Sequence, residues 1–375
     1  MEAASGEFTF TRLERVVFGP GRLSALDTEL ERRGVRSALV VTGRTLGGSG
    51  LLDEVREAAG GRVRAVFDGA RQHVPSATVE ALAERAAEAD ADCLISFGGG
   101  SPIDTAKAAA KALLDRGGPG LLHVALPTTL SAGEFTPGGG VTRERDRVKG
   151  GVLDPRIQPR VVILDPALTR LTPDRLWTST GMRALDHAVE AVLSVRHQLL
   201  TDTLATRAMR LLREHLPASV SEPDNTDLAR RGYCQLAAWL SIFGATNTGF
   251  GISHALGHQI GPRWDVPHGI TSCITLPHVM RYMADRAPER FGPVAEGFGV
   301  AWGDGDPGPA AADCADRTAR LIAELGLPTR LRDFDVPVDE LTSIAGTVLR
   351  EVERSGTVGA EVTRKDLVSL LETAW

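Results

Sequence analysis

Between residues 37 and 165, short apolar runs alternate with stretches whose apolar positions recur at helical spacing. Ser37-Ala-Leu-Val-Val-Thr42 is β-branched and stops at Gly43, as a buried parallel strand does. Arg62-Val-Arg-Ala-Val-Phe67, Cys93-Leu-Ile-Ser-Phe97, Leu122-His-Val-Ala-Leu126 and Val161-Val-Ile-Leu164 repeat the pattern. Between Val74 and Asp90, Val79, Leu82 and Ala86 fall on one helical face. Strand and helix taking turns predict a parallel sheet covered by helices. After Asp165 the pattern changes. Segments 174–194, 202–216, 227–244, 268–286, 308–325, 338–352 and 364–373 read as helices, divided by joints such as Glu222-Pro-Asp-Asn225 and Gly303-Asp-Gly-Asp-Pro-Gly308. An α/β domain over 1–165 and an all-α domain over 166–375 follow, with a cleft between them as the expected ligand site.

Composition narrows the function. The formal net charge is −6 and no basic block occurs, so nucleic-acid binding has no electrostatic support. No apolar run reaches the roughly 18 residues of a membrane span, and Met1-Glu-Ala-Ala-Ser-Gly-Glu-Phe8 lacks the basic start and apolar core of a signal peptide. Cys93, Cys234, Cys273 and Cys314 lie far apart in apolar contexts, which predicts buried free thiols and a cytoplasmic protein.

Phe97-Gly-Gly-Gly-Ser-Pro-Ile-Asp-Thr-Ala-Lys107 compresses a strand, a glycine turn and a helix start. Gly98, Gly99 and Gly100 permit close backbone approach. Ser101 is expected as the N-cap, Pro102 as the first helical residue, and Asp104 lies three residues after the cap. The open N–H groups would then face a pyrophosphate. The segment is not the G-x-G-x-x-G fingerprint. Thr128 and Thr129 follow the next strand in a hydroxyl-rich loop, and two glycines follow Lys149, so these residues join the expected nucleotide site. After the first strand, an NAD-specific site would hold the ribose with a carboxylate. Gly43-Arg44 stands there instead. The small residue leaves room for a 2′-phosphate and Arg44 can pair with it, so NADPH is admitted beside NADH.

Four histidines carry the remaining chemistry. His254, His258 and His268 lie within fifteen residues, and His187 lies upstream. On helices, His254 and His258 form one i, i+4 pair and Arg183 and His187 another. Imidazoles so grouped serve as metal ligands or as acid–base groups. A guanidinium within about 5 Å of a divalent cation costs several kcal/mol at intermediate dielectric, so no metal is expected. If a metal were bound, imidazoles of this set would hold it. Asp186 is excluded from the group, because it points about 100° away from His187 around the helix.

Taken together, Gly98-Gly-Gly-Ser-x-x-Asp104, Pro127-Thr-Thr129, Gly181-Met-x-Ala-Leu-x-His187 and His254-x-x-x-His258-x9-His268 resemble the iron-containing alcohol dehydrogenase family. Phe8-Thr-Phe-Thr11, Arg15-Val-Val-Phe-Gly-Pro-Gly21 and Glu134-Phe-Thr-Pro137 are most similar to its maleylacetate reductases. The resemblance implies a dehydroquinate-synthase-like fold, a homodimer, and hydride transfer between NAD(P)H and a carbonyl or alcohol. It also implies a metal site of one aspartate and three histidines at positions 183, 187, 254 and 268, and places His258 near the nicotinamide. Arg183 departs from that aspartate. Maleylacetate reductases as a group tend to lack it and are thought to work without metal.

The expected protein is an NAD(P)H-dependent reductase of a small, anionic carbonyl compound. Arg183 and a donor imidazole would stabilise the developing oxyanion, and His258 or His254 would deliver the proton. The alternatives are a metal-dependent alcohol dehydrogenase and a non-redox family member, either a lyase or cyclase or a binding protein.

Overall fold

The computed structural model describes residues 6–143, 145, 148–222 and 225–375, with the backbone alone of Val148 and Lys149. Six strands form one parallel sheet: β1 (Arg15–Phe18), β2 (Ala38–Val41), β3 (Val63–Phe67), β4 (Cys93–Gly98), β5 (Leu122–Pro127) and β8 (Val161–Leu164). Between the last two lies a separate antiparallel hairpin of β6 (Gly138–Arg143) and β7 (Val148–Leu153). The order across the large sheet is β1-β8-β5-β4-β2-β3.

Every residue of β2, β4 and β8 is buried, as expected where helices cover both faces. The two-residue period of a strand divides its side chains between two cores. Ala38, Val40, Cys93, Ile95 and Phe97 pack with Leu26, Leu51 and Val55 on one side. Leu39, Val41 and Leu94 pack with Leu82, Ala83, Ala106 and Ala109 on the other. Each such leucine, isoleucine or valine contributes roughly 1.5–3 kcal/mol by leaving water.

The five strands predicted from the pattern appear within a residue of their expected ends. Two features were not predicted. β1 is a four-residue edge strand of mixed exposure, which its register with β8 makes into a strand. The hairpin begins Gly138-Gly-Gly140, a sequence of low strand propensity. It is tied to the helix Gly100–Asp115. Lys107 is fully buried, and its Nζ donates to the carbonyl oxygens of Gly133 and, at 2.7 Å, Gly138. Asp104 Oδ2 accepts from the Gly140 amide at 3.1 Å.

The chain separates into two compact units, one of Thr11–Pro173 with Ser219–Leu236, the other of residues 6–10, Asp174–Ala218 and Ala237–Trp375. The second is helical. Its helices include Asp174–Leu193, Leu199–His215, Ile252–Trp264, His268–Ala284, Gly308–Glu324, Leu341–Ser355 and Arg364–Ala374. At Gly269 an added Cβ would lie 2.6 Å from the Ser179 carbonyl oxygen, so the helices Asp174–Leu193 and His268–Ala284 meet backbone to backbone. Among the described residues, no helix is long and apolar enough to cross a membrane.

Candidate active site

The nucleotide-site candidates gather at the C-terminal ends of three adjacent strands. From β2 the chain proceeds outward to β3, and from β4 it proceeds the other way to β5 and β8, so the order reverses between β2 and β4. In open parallel sheets, ligands bind outside the strand ends at such a reversal. Gly43 follows β2, Gly98 ends β4, and Thr128 and Thr129 follow β5. Gly98 has φ +144°, open in practice only to glycine. A Cβ at Gly99 would come 2.9 Å from Thr129 Cγ2, so the two loops touch. Thr128 and Thr129 are buried, and Thr129 Oγ1 pairs with Ser131 Oγ at 3.0 Å.

The capping prediction needs correction. The helix starts at Gly100, with Gly99 as N-cap at φ −81° and ψ −160°, and no side chain caps it. Ser101 and Pro102 therefore sit one and two positions inside, and Asp104 braces the hairpin instead of facing the helix start. A sixteen-residue helix with no side-chain cap, behind a glycine turn at the sheet reversal, fits the phosphates of a dinucleotide. Arg44 is exposed and opens a four-residue helix directly after Gly43. The side chain of Lys149 lies outside the described residues.

The histidines gather in the helical unit, in two layers. His187 and His254 form the buried layer, with ring centroids 4.9 Å apart and Phe250 stacked on His254 at 4.1 Å. Burial, then the nearby His254 and Arg183, holds His187 well below the usual imidazole range, and its Nδ1 has no hydrogen-bond partner among the described residues. His258 and His268 form the half-buried layer, stacked at 5.7 Å with 7° between ring planes.

Arg183 is 4% exposed. Its Nη2 lies 2.6 Å from His268 Nε2, and its Nη1 donates to Ser272 Oγ at 3.0 Å and faces Asp186 Oδ2 at 3.4 Å. An arginine has no acceptor atom, so His268 Nε2 accepts, and a neutral ring then carries its proton on Nδ1. The guanidinium occupies the Nε2 lone pair of His268, which a metal bound at that nitrogen would need. An aspartate-plus-three-histidine centre does not fit these residues.

Two carboxylates that the sequence reasoning left out complete the group. Asp186, excluded above, accepts from Ser253 Oγ at 2.8 Å and Ser272 Oγ at 2.6 Å as well as from Arg183. Glu190 accepts from the Gly251 and Ser253 amides at 3.0 and 2.7 Å and pairs with His254 Nδ1 at 2.5 Å. Asp186, Glu190 and His254 each offer an atom within 4.8 Å of the others, a spacing open to a cation. These contacts engage both oxygens of Glu190, while Asp186 Oδ1 has no hydrogen-bond partner among the described residues. Burial, then the charge of Glu190, pushes the Asp186 carboxyl up to about 7. Glu190 could have been suspected, since it lies one turn after His187 and two after Arg183 on the same helical face. A third carboxylate, Glu351, pairs with His258 Nδ1 at 2.6 Å from 93 positions downstream, and nothing local marks it.

Known proteins resemble this chain in sequence and in fold. The model of iron-containing alcohol dehydrogenase matches residues 14–166, and that of the C-terminal region of the Fe-containing alcohol dehydrogenase family matches residues 177–375. Lactaldehyde reductase of Escherichia coli (strain K12) is 32% identical over an alignment of 382 positions that covers 96% of this chain and 98% of that protein. Maleylacetate reductase 2 of Cupriavidus pinatubonensis is 36% identical over 301 residues, 80% of this chain and 79% of that protein. A solved 1,3-propanediol oxidoreductase superposes with a TM-score of 0.91 at 27% identity, covering 99% of this chain and 100% of that one. Fold and matches together define the class as an oxidoreductase. The chain belongs to the iron-containing alcohol dehydrogenase family, whose members use NAD(H) or NADP(H).

Proposed function

We propose that this protein is an NAD(P)H-dependent reductase of a small carbonyl compound bearing a carboxylate, and that it works without metal. The bond between Arg183 Nη2 and His268 Nε2 carries the reading. It sets a permanent positive charge behind a half-buried imidazole, where a metal-dependent relative would need that nitrogen for its ion. The identity shared with maleylacetate reductase 2 supports a carboxylate-bearing substrate.

Gly98, Gly99, Gly100 and Ser101 would receive the cofactor phosphates, beside Thr128 and Thr129, and Gly43 with Arg44 would admit a ribose 2′-phosphate. When bound, the nicotinamide supplies the hydride. The protein supplies the rest. Arg183, buried and bonded to His268, holds a fixed positive field towards the oxygen that gains charge as hydride reaches carbon. The same field favours a substrate carboxylate. His258 delivers the proton to that oxygen. Its side chain is 38% exposed, whereas that of His254 is 2% exposed and tied to Glu190.

One observation favours a second reading. Asp186, Glu190 and His254 are spaced as metal ligands are. Against it, Arg183 lies beside Asp186 and the Glu190 oxygens are already engaged. Elemental analysis of protein purified without chelator separates the two readings, together with turnover of maleylacetate, lactaldehyde and neutral aldehydes with NADPH and NADH. The expected outcome is substoichiometric metal, chelator-insensitive turnover and a preference for the carboxylate-bearing substrate, which Arg183→Lys lowers about 100-fold. Stoichiometric zinc or iron that survives dialysis, with activity lost on its removal, would overturn the metal-free reading.

A further inference from the structure

His254 and His258 stand one turn apart on the same helix, and each holds a carboxylate through its Nδ1. The environments differ. The buried His254–Glu190 pair measures 2.5 Å with side chains 2% and 3% exposed, while the His258–Glu351 pair measures 2.6 Å with side chains 38% and 32% exposed. Only the second pair combines a charge-assisted bond with an open ring.

Glu351 belongs to the helix Leu341–Ser355, remote in sequence from every histidine of the group. Its carboxylate is held at two points. Oε1 pairs with His258 Nδ1, and Oε2 accepts from Gln259 Nε2 at 3.2 Å, which fixes the plane of the acid. The imidazole is constrained on its face by His268, stacked at 5.7 Å and 7°. The charged or titratable groups set against His258 are thus Glu351 from one neighbouring helix and His268 from another, with Arg183 behind His268. A carboxylate is acceptor-only, so a proton must lie on His258 Nδ1 for this bond to form. The nitrogen left to exchange a proton is Nε2. A bond made by one ring nitrogen in this way decides which atom of a histidine does chemistry.

We propose that Glu351 is a positioning residue for the reduction: it keeps a proton on Nδ1 and fixes the plane of His258, so that the imidazolium gives up the proton on its Nε2 to the substrate oxygen, returns to the neutral Nδ1–H ring and is reprotonated at Nε2 from water. The inference rests on the reading of His258 as proton donor. It gives the penultimate long helix a part in the chemistry through a residue that touches neither substrate nor cofactor.

Kinetics and histidine NMR test it on the full-length protein. Glu351→Ala should lower kcat about 10- to 100-fold with little change in the KM for cofactor. Glu351→Gln should recover part of the loss, because its amide oxygen still accepts from Nδ1. In the pair His258→Ala and Glu351→Ala, the double variant should be no slower than His258→Ala alone. Independently of turnover, ¹⁵N-histidine spectra, with the His258 signal assigned by its loss in His258→Ala, should show the proton on Nδ1 in the wild type and a mixture of tautomers in Glu351→Ala. Full kcat in Glu351→Ala, losses that multiply in the double variant, or an unchanged tautomer would each overturn the proposal. Absence of any carbonyl turnover by the wild type would instead sink the proposed function, while the ring spectrum would still decide whether Glu351 holds His258.

Discussion

Glu134 is 1% exposed in the loop after β5, and its Oε2 has no hydrogen-bond partner among the described residues. Burial pushes its carboxyl up to about 7, and the positive charge of Lys107 offsets only part of that. An acid whose folded pKa exceeds its unfolded one binds more protons in the native state. Its contribution is complete below about 4.5 and is lost as pH rises to about 7. Urea unfolding should therefore show stability falling across that window by on the order of 3 kcal/mol, and Glu134→Gln should flatten the slope. A variant whose slope matches the wild type would mean that Glu134 is ionised throughout. At the same scale, Arg183 and Asp186 depend on one another. Removing the guanidinium in Arg183→Ala leaves a buried carboxylate without its counter-charge. That should cost about 3–5 kcal/mol by denaturant unfolding at pH 8, and less at pH 5, where protonation relieves Asp186.

Among the elements, Gly269 sets the contact of two helices, and Lys107 with Asp104 holds the hairpin. A methyl group on Gly269 would collide with the Ser179 carbonyl, a rigid backbone atom that cannot rotate away. Gly269→Ala should destabilise the helical unit by about 1–3 kcal/mol, seen as a lower thermal midpoint, and the displaced helix start should also disturb His268. Lys107 repays its complete burial through the carbonyls of Gly133 and Gly138. A methionine there fills similar volume but leaves those carbonyls unsatisfied. Lys107→Met should loosen β6 and β7, with faster amide exchange across Gly138–Arg143 than elsewhere in the α/β unit. The sequence marked Lys107 only as the end of a glycine motif. Its role depends on a hairpin whose glycines carry little strand signal.

For the whole molecule, ligands that bind only the native state raise its stability by mass action. NADPH at one hundred times its dissociation constant should add about 2.7 kcal/mol and lift the thermal midpoint, with NADH giving a similar shift at its own saturation. Chelator should leave that midpoint unchanged if no ion contributes to folding, and a fall would point to a structural metal. The four cysteines are buried and free, so reductant should not move it either.

How much was legible follows from the range over which each signal acts. Apolar periodicity is local, so the runs at 38–41, 93–98 and 161–164 and most of the long helices could be read directly from residue order. The glycine turn after β4 and the i, i+4 histidines are local too, and so were visible. Even there, one local rule failed, because the helix after the turn starts at Gly100 without the serine cap that its sequence offered. Partners brought together from distant segments left no such trace. Asp186 was dismissed on helical geometry alone, yet Ser253 and Ser272 arrive from two other helices to make it the centre of a hydrogen-bond network. Glu351 is paired with His258 only because two helices pack side by side. Residue order was enough to set the alternation of strands and helices and the residue types available for chemistry, since both depend on neighbours along the chain. Packing alone set which imidazoles are open, which are sealed, and which carboxylate faces each, because burial and hydrogen bonding are properties of neighbours in space.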